Sequence, residues 1–190
     1  MPRQAEKTLS RLYLAARTAP LAAQSETAHR LVDELLAAAG YAGTAWEKDT
    51  NGRPTVSAEG LAVSMTHTRG RVFCALLADD DRPDARLGID AEQVRPFPRA
   101  EKLAVRFFGP CEQAQVSAGP DPRAFFACFT AKEAFAKYCG DGLSHHLSGA
   151  DTAAPDFEAV HGVRFERMER DGVLLTLCLP AGCFPTLHEI

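Results

Sequence analysis

Apolar positions along the chain fall into helical and strand-like rhythms that alternate. Leu31, Val32, Leu35, Leu36 and Ala39 recur at helical spacing within 26–40. That spacing predicts an amphipathic helix, with Ser25 as its cap and Gly40 as its stop. The polar stretch 47–54 is rich in turn formers and predicts a loop. Two strands follow, 61–67 and 71–78, around the turn Thr68-Arg69-Gly70. The run 79–86, DDDRPDAR, reads as a solvated linker and marks a boundary between halves 1–85 and 86–190.

The second half opens on 87–92, a short apolar strand ending in carboxylates. Segment 100–108 predicts a short helix. Asp121 followed by Pro122 is a helix start, a capping side chain and then a proline at the first helical position. That helix runs through 124–139 and stops at Gly140. Segments 163–169 and 172–180 flank Arg170-Asp171-Gly172 and read as a hairpin. Each half is thus a helix combined with strands, and the fold class is α+β. Sequence similarity between the halves is faint, so any repeat is architectural.

Composition narrows the function classes. The chain has 190 residues, 46% hydrophobic and 24% charged, an ordinary globular balance. A net charge of −4 gives no support to a general nucleic-acid-binding role. No run approaches the ~18 apolar residues of a membrane span, and the basic start lacks the long apolar stretch of a leader. None of the six cysteines forms a C-x-x-C pair or completes a zinc pattern. These features favour a reducing, cytoplasmic setting without membrane attachment.

Three constellations are candidates for chemistry. On a strand, Asp90 and Glu92 point to one face and set two carboxylates side by side, for which a hard divalent cation is a natural counter-charge. Glu133 and Lys137, four apart on a helix, share a face within a stretch of Phe, Ala and Cys. Thr66 and His67 sit at a strand end, where a hydroxyl and an imidazole suit a phosphate. Gly52-Arg53-Pro54 adds one cation in a rigid turn. Taken singly, each is more often a surface feature than a site.

In order, NGRP, VSMTHT, LGIDAE, RFFGPCE and FTAKEAFAKYCGDGLS resemble the phosphopantetheinyl transferase superfamily, in its larger surfactin-synthetase-activating type, over roughly 26–148. The resemblance implies two similar α/β halves, each a long helix on a small antiparallel sheet, related by a pseudo-two-fold, with the active site in the cleft between them. It implies transfer of 4′-phosphopantetheine from coenzyme A to a serine of an apo acyl or peptidyl carrier protein, with release of 3′,5′-ADP. That chemistry serves fatty-acid, polyketide or nonribosomal-peptide synthesis.

By the same resemblance, Asp90 and Glu133 are the principal Mg²⁺ ligands, and Glu92 is a third ligand or holds a water of the ion. Glu133, or a water held by the carboxylates, is the base. Lys137, Thr66 and His67 contact the pyrophosphate, and Gly52, Arg53 and Pro54 lie near the adenosine 3′-phosphate. Glu112 occupies a further acidic position of the family. Phe129 stands where the family has Trp, and Ala91 where it has a larger aliphatic residue. Arg11, Arg17 and Arg30 are candidate substitutes for basic residues of the first half. Arg69, Arg71, Arg95, Arg99 and Arg106 are candidates for a rim facing an acidic carrier helix. The expected active form is a monomer. A second reading stays open: a relative that holds coenzyme A or a carrier protein without turnover.

Overall fold

A computed structural model describes residues 10–140 and 149–190; the Gly142-Leu143-Ser144 end of the last motif lies outside the described residues. The first part of the chain runs β1 (Arg11–Thr18), a 3-10 turn (Leu21–Ala23), α1 (Gln24–Ala38), β2 (Trp46–Lys48), β3 (Pro54–Val56), β4 (Leu61–Thr68) and β5 (Arg71–Ala78). The second runs β6 (Gly88–Gln93), α2 (Ala100–Phe107), α3 (Pro110–Ser117), α4 (Pro122–Cys139), α5 (Phe157–His161), β7 (Val163–Arg170), β8 (Val173–Pro180) and β9 (Thr186–Glu189). The expected α+β class is what the chain adopts.

The strands form a four-stranded sheet in the order β4-β5-β1-β9, a three-stranded sheet in the order β6-β8-β7, and the small β2-β3 ribbon. All pairings are antiparallel except β1 with β9. The first sheet therefore takes its fourth strand from the far end of the chain, which ties the two halves together.

Strand alternation sorts the core into layers. Tyr13, Ala15, Val63, Val72, Cys74 and Leu76 pack on α1 through Leu31, Val32, Leu35 and Leu36. The opposite face of the same sheet, Leu12, Leu14, Phe73, Ala75 and Leu77, packs on Ile89, Ala91, Leu175, Leu177 and Leu179 of the second sheet. The outer face of the second sheet carries Leu174 against Phe125, Phe126 and Cys128 of α4, and Cys178 against Ala134 and Phe135. The order is helix, sheet, sheet, helices.

Local signals explain most element ends. Asp121 accepts a 2.9 Å hydrogen bond from the Arg123 amide, and Gly140 closes α4 in the left-handed region at φ 85°. The first helix departs from expectation. Ser25 lies inside α1, which begins at Gln24 with no side-chain cap. The preceding 3-10 turn supplies its own entry bond, from the Ala23 amide to the Pro20 carbonyl at 2.8 Å.

Gly88 decides how closely β6 and α4 approach. A Cβ built there would lie 1.9 Å from the Ala134 carbonyl oxygen and 2.7 Å from the Tyr138 amide nitrogen. Both obstacles are backbone, so the helix itself would have to retreat. Gly88→Ala is expected to lose about 1–3 kcal/mol or more of stability, as overpacked cores do, seen as a lower urea midpoint. An unchanged midpoint would contradict this packing.

Candidate active site

Glycine at 88 lets α4 lie directly on β6, and this contact brings the first and second constellations together. Asp90 and Glu92 leave β6 on the face opposite Ile89 and Ala91, which fill the inter-sheet core. Lys137 reaches across from α4 and donates to Asp90 Oδ1 at 2.8 Å and to the Ile89 carbonyl at 3.0 Å. The expected neighbour of Lys137 was Glu133, one turn back on the helix. Its ion pair is with Asp90, across the contact between α4 and β6.

A cavity of about 540 Å³ is lined by Thr66, His67, Asp90, Glu92, Phe129, Glu133 and Lys137, with Gln24 and Ser25 of α1 and Lys48 of β2 on its other wall. A smaller one of about 200 Å³ is lined by Gly52, Arg53, Pro54, Ser64, Ala136 and Gly140. The two share Gly52, Met65 and Lys137. All the residues singled out by the Gly-Arg-Pro, Thr-His, Asp-x-Glu and Glu-x-x-x-Lys motifs thus line two cavities that share part of their walls.

The first-half wall is built more firmly than a loop. Residues 49–53 of segment 47–54 are the turn that joins β2 to β3, and Asp49 Oδ1 accepts from the Asn51 and Arg53 amides at 2.8 and 2.9 Å. Asn51 Nδ2 in turn donates to the Gly140 carbonyl at 3.1 Å. Arg53 lies over the same glycine, where a Cβ would come 2.6 Å from its Nη1. The ribbon turn is thereby seated on the C-terminal end of α4. No motif marks Lys48; only the pairing of β2 with β3 brings it to the cavity.

Thr66 and His67 diverge, as neighbours on a strand must. The Thr66 hydroxyl donates to Asp90 Oδ1 at 2.8 Å, while His67 is exposed at the cavity rim. Glu112 is elsewhere. It is fully buried beneath α4 in a 2.7 Å ion pair with Lys132. Among the arginines, Arg95 pairs with Glu92 at 3.3 Å, Arg71 with Asp171 at 3.3 Å and Arg17 with Glu34 at 3.0 Å.

Glu133 is 8% exposed and, among the described residues, receives no hydrogen bond. Burial pushes its carboxyl up to about 7; Asp90 and Glu92 push the same way, and Lys137 opposes them. Among the described residues, no three side chains of ligand type are already drawn into a cage. The donor chemistry nevertheless suits Mg²⁺, which takes one or two carboxylates and fills its octahedron with water and phosphate oxygens. A buried carboxylate without a proton donor, beside two more carboxylates, is such a partial set.

No helix among the described residues is long and apolar enough to cross a membrane. All six cysteines are free thiols.

Part of the chain resembles known proteins. Residues 86–176 match the model of the 4′-phosphopantetheinyl transferase superfamily. The chain is 31% identical over 106 residues to the 4′-phosphopantetheinyl transferase HetI of Nostoc sp., covering 52% of this chain and 43% of that protein. It is 34% identical over 107 residues to the 4′-phosphopantetheinyl transferase psf-1 of Bacillus pumilus, covering 54% and 42%. The chain thus matches less than half the length of these curated relatives. The strand with Asp90 and Glu92 and the helix with Glu133 and Lys137 both fall inside residues 86–176, the part of the chain that is similar to the 4′-phosphopantetheinyl transferase superfamily.

Proposed function

We propose that the chain transfers 4′-phosphopantetheine from coenzyme A to a serine hydroxyl of an apo acyl or peptidyl carrier protein, in a Mg²⁺-dependent reaction that releases 3′,5′-ADP. The observation that carries this reading is the single cavity onto which Asp90, Glu92, Glu133 and Lys137 converge, between β4 of the first half and α4 of the second. The similarity of residues 86–176 to the 4′-phosphopantetheinyl transferase superfamily supports the reaction class.

The chemistry is a displacement at phosphorus, where positioning and charge stabilisation do most of the work. The carrier serine oxygen attacks the β-phosphorus of coenzyme A. The bond from that phosphorus to the bridging oxygen breaks, and 3′,5′-ADP departs with the bond electrons. Glu133 takes the serine proton. Asp90 and Glu133, with Glu92 beside them, would hold Mg²⁺, which would supply positive charge against the pyrophosphate. Lys137 has three N–H donors. Two are engaged by Ile89 and Asp90, so the third is left for a phosphate oxygen as charge builds on the leaving group. His67 and Lys48 line the larger cavity and would meet the pyrophosphate, and Arg53, with Gly52 and Pro54, lines the smaller one and would lie toward the adenosine 3′-phosphate. We read the protein as a cytoplasmic monomer, on the free thiols and on a cavity whose two walls come from one chain.

Mass spectrometry of apo carriers incubated with the protein, coenzyme A and Mg²⁺ tests the reading. A gain of about 340 Da on the carrier, the phosphopantetheine left by loss of ADP from coenzyme A, with equimolar 3′,5′-ADP, is the expected result. Coenzyme A binding with no mass gain across a carrier panel would favour the non-catalytic reading. Coenzyme A cleavage without any carrier would point to a hydrolase.

A further inference from the structure

Strand β4 carries hydroxyls at every second position, Ser64, Thr66 and Thr68, and all three are buried. A strand that only joined two sheets would be served by apolar residues there, as Ala62 serves one pair earlier. Each hydroxyl instead bonds to β6. Ser64 Oγ accepts from the Ile89 amide at 3.1 Å. Thr66 donates to Asp90 Oδ1 at 2.8 Å and Thr68 to Glu92 Oε2 at 3.2 Å. Thr68 also accepts from the Gln93 amide at 3.3 Å. A hydroxyl has one proton, so that of Thr68 is committed to Glu92.

The choice of carboxylate oxygen is the informative detail. Both protein partners of Asp90, Thr66 and Lys137, sit on Oδ1. Both partners of Glu92, Thr68 and Arg95, sit on Oε2. Among the described residues, Oδ2 of Asp90 and Oε1 of Glu92 receive no hydrogen bond. Each carboxylate is clamped by one oxygen, and the other has no protein partner among the described residues.

We propose that Thr66 and Thr68 are positioning residues, whose hydroxyls fix Asp90 and Glu92 so that Oδ2 and Oε1 are presented to a divalent cation. Partners of this kind hold a ligand in its binding orientation and raise metal affinity without touching the ion. The first half thereby sets the geometry of ligands that belong to the second half. A hydroxyl on β4 serves to orient a carboxylate as well as to contact phosphate. The proposal rests on reading the carboxylates as metal ligands.

Mn²⁺ binding to the full chain, followed by electron paramagnetic resonance of the free ion, tests it apart from activity. Thr66→Val and Thr68→Val are expected to weaken Mn²⁺ binding about tenfold or more. Thr66→Ser and Thr68→Ser, which restore the hydroxyl, should stay within about twofold of the parent. Ser64→Ala is the control, because its hydroxyl serves a backbone amide; it should lower the melting temperature without weakening Mn²⁺ binding. Where melting shows a valine variant unfolded, the alanine variant at that position is titrated instead. A parent that binds Mn²⁺ and valine or alanine variants that bind it equally well would overturn the positioning role alone. A parent that does not bind Mn²⁺ would overturn the metal reading and this proposal with it.

Discussion

Glu133→Gln folds and keeps the cavity, yet lowers phosphopantetheine transfer by between about 10²- and 10⁴-fold, the range expected when a positioned general base is lost. Glutamine matches the shape of the side chain and removes only its charge and basicity. The expected size of the effect follows from where Glu133 lies. It is buried, faces Asp90 and Glu92, and receives no hydrogen bond among the described residues. Its carboxyl is pushed up to about 7, by burial first and by Asp90 next. A base poised there is ionised enough to work near neutrality and basic enough to take a proton.

Two pH dependences follow. Transfer by the parent should rise as pH increases through about 7, where Glu133 becomes ionised. A cation beside it competes with the proton, so higher Mg²⁺ should move that rise to lower pH. Stability runs the other way. The folded carboxyl titrates above its ordinary value of 4.5, so the folded chain holds the proton more tightly than the unfolded chain. Parent stability in metal-free buffer therefore falls as pH climbs from 4.5 to about 7. Glu133→Gln lacks this loss. Urea unfolding should find the variant more stable than the parent by a few kcal/mol at about pH 8, and by much less at about pH 5. A variant that is the less stable of the two at the higher pH would mean that Glu133 is not held in a desolvated, like-charged site.

What could be read from the sequence divides along physical lines. Elements with a local cause were legible. Asp121 and Pro122 open α4 and Gly140 closes it, and Asp90 and Glu92 share a face because strands alternate. Elements defined by layers on both sides were not. Strand β1 packs Tyr13 and Ala15 on α1 while Leu12 and Leu14 pack on the second sheet, so no apolar–polar alternation marks it. Strand β9 is short and exposed, and its parallel pairing with β1 joins residues at opposite ends of the chain. At the site, motif order identified the residues that face the cavity, but not their partners. Thr66 reads as a phosphate ligand in sequence and bonds Asp90 in the fold. Lys137 shares a helix face with Glu133 in the sequence and bonds Asp90 in the fold. These are long-range contacts: β4 against β6 for Thr66, and for Lys137 the approach of α4 to β6 that Gly88 allows.

Lys132→Met should destabilise the chain by about 3–5 kcal/mol, the loss expected when one partner of a buried ion pair is removed and the other is left charged. Lys132 precedes the candidate base in the sequence and looks like one more surface lysine. It is 1% exposed, pairs with Glu112 at 2.7 Å and donates to the Ala150 carbonyl. Glu112 in turn accepts from the Gly109 amide at 2.8 Å, the Thr152 amide at 2.9 Å and the Thr152 hydroxyl at 2.6 Å. Asp151, between the two anchored residues, caps α3 through the Cys111 amide at 2.8 Å. One buried pair thus holds α3, α4 and 150–152 together, on a side of α4 away from the cavity lining. Because the two charges answer each other, Glu112→Gln in the Lys132→Met background should cost less than the sum of the single changes, by about 1–3 kcal/mol of coupling. Urea unfolding of the four proteins measures it. Simple additivity would mean that the pair is not a coupled buried unit, and that α4 is held in place by its apolar packing alone.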